Sequence, residues 1–343
     1  LMLSVPSFAQ LGVGAKYVGM GSTGIAAATG LPSAYYNPAG IVKGPTAGFD
    51  LSLGCMTSDL DKITALMSDP NKFLTDNVAN NVDMNLRLNT LIGMTVGKIG
   101  ISAVALGSGN FTKAANDKPD SNVTAIEDIM LTFGTTVAEL PIPMFTTGLD
   151  VGMNLKYIIG QRNIQTFGAI LGTSSNGTIS TGTGNGFGID VGAAANVSDI
   201  VRVGAVIKDI GSTINWSNSD QAATYTVTGP TAGNLALGAK TTSTSSEARS
   251  MSYGIGVAAK LPGIGTQVAA DLDIQSNNTY THFGIEHPLI PMVMVVRLGY
   301  VTGADASIFT TGLGFAADTI KLAYTSDSKN NVTTAAIDIG FGF

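Results

Sequence analysis

Charge is what this chain lacks most. Of 343 residues only 12 % are charged, against roughly 25 % in an ordinary soluble domain. That is too few to cover a water-exposed surface of this size. Cysteine occurs once, as Cys55, so no intrachain disulfide can form. Basic residues are outnumbered: 18 stand against 24 acids, for a net charge of −6. This is the wrong sign for holding phosphates, and no nucleic-acid partner is expected. Long apolar runs are missing too. A spanning helix needs about 18 nearly continuous apolar residues, whereas the longest uncharged apolar stretch, Pro288 to Val296, contains two prolines.

What is present is apolar side chain, 44 % of residues, together with 43 glycines. An apolar chain without a helical span points to the other structure a bilayer permits, a closed β-barrel with apolar residues at every second position. Residues 1–9 read as the tail of a secretory signal: an apolar run, Pro6, then the small residues Ser7 and Ala9 before Gln10. Export agrees with the low cysteine count.

From Phe49 onward, segments of period 2 recur. Phe145, Leu149, Val151, Met153, Leu155 and Tyr157 fall on one face, while Gly148, Asp150, Gly152, Asn154 and Lys156 fall on the other. A strand with these faces suits lipid on one side and water on the other. Fourteen such strands are predicted, over 45–56, 84–97, 98–111, 122–139, 145–163, 185–197, 200–214, 249–260, 263–275, 279–287, 291–302, 306–316, 318–326 and 331–343. The intervening connections alternate between long (57–83, 112–121, 164–184, 215–248) and short. Outer-membrane barrels have long outer loops and short periplasmic turns, so the alternation supports an even count near fourteen.

Charge placement agrees. The phase turns Asp50, Arg87, Asp128, Asp150, Lys156, Asp190, Arg202, Lys208, Asp271, Asp273, Glu286, Arg297, Lys321 and Asp338 inward. No charge is assigned to mid-strand on the lipid phase, where a base costs about 2–4 kcal/mol. Glu139 and Asp209 break the phase and are read as strand-end residues. Eight acids and six bases, nearly balanced, fit an internal salt-bridge network. Asp271 and Asp273 share one face; pairing with Arg297, Lys321, Lys16 or Lys43 is the expectation there, ahead of a catalytic carboxylate pair. The final strand carries Ala335, Ile337, Ile339, Phe341 and Phe343 on one face. Such a stripe closing on phenylalanine resembles the signal by which barrels are recognised by their assembly machinery.

Two segments differ. In 57–83, Leu60, Ile63, Leu66 and Met67 have helical spacing, and Phe73, Leu74 and Val78 continue past Pro70. Two short amphipathic helices are predicted. They either pack on the barrel rim or, through Leu60, Ile63, Met67 and Phe73, form a rim that captures an apolar ligand. Residues 10–44 are glycine-rich and low in charge. Ahead of a barrel spanning 45–343, such a segment fits inside the lumen as a hatch.

Within it, Gly14 to Gly21 and Ala34-Tyr-Tyr-Asn37-Pro38-Ala39-Gly40 resemble the start of the FadL-like outer-membrane proteins. That superfamily includes fatty acid transporters, aromatic-hydrocarbon channels and the PorV and TraF-like branches. Leu155-Lys156-Tyr157, Val203 to Gly211 and Arg297 to Tyr300 extend the resemblance. It implies an all-β, 14-stranded antiparallel transmembrane barrel in the bacterial outer membrane, with Asn37, Pro38, Ala39 and Gly40 as the hatch motif. It further implies passive passage of hydrophobic small molecules such as long-chain fatty acids or hydrocarbons. The alternative is a PorV-type barrel that anchors or shuttles a secretion-system protein.

No enzyme, cofactor or metal chemistry is expected. His282 and His287 stand five apart and so face opposite sides of a strand. His282 is read as a lumen residue and His287 as a turn residue. No HExxH, P-loop or Gly-x-Ser-x-Gly motif occurs, and Gly182 to Gly188 reads as a flexible outer loop.

Overall fold

The structure is a computed structural model that describes residues 12–57, 62, 65, 68, 81–113, 119–137, 148–168, 173–229, 232–275, 278–303, 306–328 and 332–342. The signal at 1–9, the rim residues Leu60, Ile63, Met67 and Phe73, Glu139 and Phe343 lie outside these.

Alternation of apolar and polar residues commits most of the chain to strands. They are β1 (Ala47–Thr57), β2 (Val82–Val96), β3 (Ile99–Lys113), β4 (Pro119–Val137), β5 (Leu149–Phe167), β6 (Ser174–Asn196), β7 (Val201–Gly229), β8 (Ala232–Ala248), β9 (Ser252–Lys260), β10 (Gln267–Gln275), β11 (Asn278–Ile290), β12 (Met294–Gly303), β13 (Ser307–Phe315), β14 (Ile320–Asp327) and β15 (Val332–Gly342). Neighbours pair antiparallel. β1 pairs with β15, and β7 bridges β6 and β9, so the sheet closes. The ring contains fourteen strands. β8 is an extra strand on the outer half of β7, opposite 213–229, while β9 takes the inner half, opposite 201–208. Every predicted strand has its counterpart, and no helix among the described residues is long and apolar enough to cross a membrane.

The outward face carries Met153, Leu155 and Tyr157 on β5, Ile255 and Val257 on β9 and Ile337, Ile339 and Phe341 on β15, all largely exposed. On β5 the outward residues are apolar from Leu149 to Ile159 and polar from Gln161. At about 3.3 Å per residue and a tilt near 40°, that run is about 28 Å tall, close to the height of a barrel's lipid-facing band. Glu127, half-buried and opposite Ile159, turns outward too, contrary to the expectation of no mid-strand charge on that face. It sits one step from the rung where the outward face becomes polar.

Three further expectations are corrected. The segments 164–184 and 215–248, expected as loops, are in large part strand, and Gly182 to Gly188 lies within β6. The hairpins run on past the apolar band, where the outward residues turn polar and the apolar–polar alternation of the sequence disappears, although the inner face at Ile214 and Trp216 stays buried. Glycine there answers to packing. A Cβ on Gly184 would stand 2.6 Å from Ile214 and 2.8 Å from the Trp216 ring. Asp209, expected at a strand end, is mid-strand and buried. Between Phe187 and Val191 on β6, the facing residues of β7 run from Thr213 back to Ile207, two more than regular pairing allows. Asp209 and Gly211 take φ angles of 61° and 63°. The bulge rotates the Asp209 carboxylate from the lipid phase into the lumen.

Candidate functional site

Residues 12–44 fill the lumen as a hatch. It comprises a turn of helix α1 (Ala15–Gly19), a second α2 (Ser33–Tyr36) and a 3-10 helix over Pro38–Lys43. Val13, Ala15, Met20, Ala39 and Ile41 are at most 1 % exposed. Its short turns leave many backbone groups without a partner inside the segment, and wall side chains supply them. Asn89 donates to Gly12 O at 2.7 Å and Asn154 to Ala34 O at 2.7 Å. Thr310 accepts from Gly21 N and donates to Gly19 O. Asp271 accepts from Gly24 N at 2.6 Å and Ile25 N at 2.9 Å. His282 Nδ1 donates to Gly21 O at 2.7 Å. Burial pushes the Tyr17 hydroxyl up to about 12, so the hatch holds this phenol neutral at ordinary pH.

The motif residues occupy the junction of hatch and wall. The Asn37 Oδ1 accepts from Ala39 N at 3.1 Å and caps the 3-10 helix, with Pro38 in its first turn. The Asn37 Nδ2 donates to Ile25 O at 2.8 Å and across to Ala193 O of β6 at 3.1 Å. Gly204 in the wall makes room: a Cβ there would lie 2.5 Å from Ile25 O and 3.0 Å from Asn37 Nδ2. Gly40 lies where a Cβ would come within 2.7 Å of Ser33.

The lumen charges form separate groups. Near the short-turn rim, Arg297 binds Glu286 at 2.7 Å and also Asp318, while Lys16 of the hatch joins Glu286 at 3.1 Å and Asp318 at 3.7 Å. Lys321 lies 3.6 Å from Asp338 and 4.0 Å from Asp50. Asp150 holds Arg202 at 2.9 Å and the hatch's Lys43 at 3.8 Å. Higher up, Lys156 binds Asp190 at 2.7 Å and Asp209, with Asp128 at 4.0 Å; Arg249 ties Asp128 and Asp209 from the other side. The expected pairing of Asp271 and Asp273 with Arg297, Lys321, Lys16 or Lys43 does not occur. Arg297 is taken by Glu286 and Asp318, Asp271 binds hatch N–H groups, and Asp273 has no ion pair among the described residues. Sequence phase gives the face of a side chain but not its partner across the lumen. In the sequence Asn154 falls on the inward phase without a role of its own, and Asn89 and Thr310 are not singled out. Their signal was uncharged polar side chains on the inward phase at the hatch's level.

Beside the hatch, and reaching Gln275 at the long-connection end of β10, lies a cavity of about 80 Å³. Val104, Leu106 and Met130 line one side and Asp273 and His282 the other. On the outer wall, a groove of about 490 Å³ runs over Ala259 and Ala270 between Phe283, Tyr300 and Phe309.

A closed 14-stranded barrel filled by residues 12–44 is the class of protein this structure defines, and solved structures share its overall fold. The Ralstonia pickettii toluene transporter TbuX superposes with a TM-score of 0.67 at 16 % identity, over 98 % of this chain and 100 % of that one. The P. putida toluene transporter TodX gives 0.62 at 13 % identity, over 97 % and 99 %. A Pseudomonas aeruginosa FadL homologue gives 0.63 at 8 % identity, over 98 % of each. Residues 168–251 match a family described as of unknown function, DUF5723. No curated protein matches the chain in sequence.

Proposed function

We propose that this protein is a bacterial outer-membrane channel for passive uptake of hydrophobic small molecules. The observation that carries the reading is a lumen closed by a segment held to the wall by hydrogen bonds, ion pairs and apolar packing, with no covalent cross-link. Wall residues Asn154, Asp271, His282 and Thr310 each hold hatch backbone by one or two hydrogen bonds, and Asn37 of the hatch bonds to Ala193 O of the wall, so the hatch can shift without breaking the barrel. Water-filled porins lack such a plug. The shared fold of the toluene transporters supports the reading, as does the absence of a nucleophile–base constellation among the motifs. Outer-membrane lipid covers the outward apolar band, and the Phe341 stripe serves the assembly machinery.

The test is uptake of labelled toluene and of a labelled long-chain fatty acid by proteoliposomes. Wild-type protein admits at least one, and Asn37→Ala changes the rate. Rates equal to empty liposomes for alkanes, aromatics and fatty acids alike overturn the reading. One observation favours the alternative of a PorV-type protein anchor: among the described residues β8 pairs only with β7, and from Asn234 to Lys240 it is exposed on both faces. Such an edge accepts an added strand. Crosslinking from cysteines placed along β8 in native membranes distinguishes the two.

A further inference from the structure

Around the 80 Å³ cavity, charge satisfaction is uneven. Lys156 and Arg249 neutralise Asp128, Asp190 and Asp209. Three other polar groups that line the cavity do not find such partners. Lys208 rests its ammonium 4.6 Å from the centroid of the Tyr35 ring and makes no ion pair among the described residues. Asp273 makes none either. His282 is 1 % exposed, and its Nε2 is buried without a hydrogen-bond partner. Its Nδ1 faces a carbonyl and must carry the proton, so Nε2 of the neutral ring is a bare acceptor. A buried acceptor left unmet costs about 1–3 kcal/mol, so His282 Nε2 is the unmet group of the cavity, with the partly exposed Lys208 and Asp273 lining the cavity beside it.

The chemistry of the trio is selective. It offers one cationic donor, one anionic acceptor and one neutral acceptor. A carboxylate would satisfy Lys208 but meet the charge of Asp273 and give His282 no proton. An ammonium would meet the charge of Lys208. A pure hydrocarbon would satisfy none of the three. A hydroxyl accepts from Lys208 while donating to His282 or Asp273. Size points the same way. The cavity is about half the ~150 Å³ that takes up benzene, so its enclosed part suits a polar head and not a whole ring. Val104, Leu106 and Met130 offer apolar surface for the body attached to that head.

We infer that this cavity binds the hydroxyl of a neutral amphipathic molecule, a phenol or an alcohol, and that the channel prefers such molecules to the parent hydrocarbon. This rests on the channel reading and names its substrate class.

The test compares p-cresol with toluene, which differ by one hydroxyl, in equilibrium dialysis against the full-length barrel in detergent, with partition into empty micelles subtracted. Wild-type protein binds p-cresol about ten-fold more tightly, the worth of one net hydrogen bond. In Lys208→Met/His282→Gln the ratio falls to about one. Should that double variant fail to show the heat-modifiable migration of a folded barrel, Lys208→Met alone supplies the reading. Equal binding of the two probes by wild type, no binding of p-cresol, or a preference that survives the substitutions overturns the inference and leaves ordered water as the cavity's occupant. Toluene uptake by wild-type proteoliposomes, measured alongside, reports on the channel reading separately. Uptake without a p-cresol preference sinks only this inference, and absent uptake sinks the channel.

Discussion

The two flanks of the barrel are built differently. From β9 to β15 the strands have 8 to 13 residues, close to what a membrane crossing needs. Their inner wall at Gly284, Gly299 and Gly312 carries no side chains, and the hatch backbone from Gly19 to Thr23 lies directly on it. From β5 to β8 the strands have 17 to 29 residues, and the lumen between wall and hatch holds ionised groups. On one flank the hatch backbone lies against bare glycine, with Lys16 tied to Glu286 and Asp318 at the rim; on the other the wall's own buried charges pair with one another beside the hatch. Close packing tolerates little added volume, whereas a buried charge tolerates no loss of its partner. Each flank should therefore fail under a different substitution.

The largest effect is expected on the charged flank. Lys156→Met leaves Asp190 and Asp209 facing each other without their shared cation, and breaking such a group costs about 3–5 kcal/mol. Urea unfolding in detergent should show this loss, with the heat-modifiable band weakened or absent. Next comes the packed flank. Gly299→Val drives a side chain into Gly21 and Thr310, an overpacking of about 1–3 kcal/mol. Because the hatch and not the barrel must yield, the readout is leakage of a small polar dye from proteoliposomes, with the unfolding midpoint little moved. If Gly299→Val unfolds the barrel while sparing the seal, the division between flanks is wrong.

Much of this division was legible in the sequence, and the parts that were not have definite reasons. Lys156, Asp190 and Arg297 could be placed in the lumen because a strand has only two faces and one of them met apolar neighbours throughout. Asp209 escaped because the bulge inserts residues without any mark in composition and breaks the phase locally; with two residues inserted, the even-numbered inward phase resumes at Ser212. Asp273 was given partners on the wrong strands, since pairing across a lumen depends on strand position around the ring. The lengths of β6 and β7 were underestimated where Thr, Ser and Asn on both faces erased the alternation. The Asn37-Pro38-Ala39-Gly40 motif was visible, but the bond from Asn37 to Ala193 was not.

A smaller effect refines the boundary between flanks. Asn37 joins the hatch to β6, on the charged side. Asn37→Ala removes the cap and both carbonyl contacts, a loss of about 1–3 kcal/mol. Dye leakage should rise less than in Gly299→Val, since the packed flank still holds. The smallest effect is expected at Gly107→Ala, where the nearest atom to a new Cβ is 3.7 Å away. Its unfolding midpoint should move toward stability by less than about 1 kcal/mol, marking the level at which a glycine here serves no packing role.

The paired length of β7 and β8 has a consequence for how molecules arrive. Seventeen residues of β8 against β7 carry the wall roughly 50 Å along the strand direction, past the apolar band on one side only. On the opposite side, strands such as β10 and β13 stop after nine residues. Among the described residues the wall is thus tall on one side and low on the other. On the channel reading proposed above, a solute approaching along the membrane plane meets a hydroxyl-rich screen from one direction and a threshold from the other.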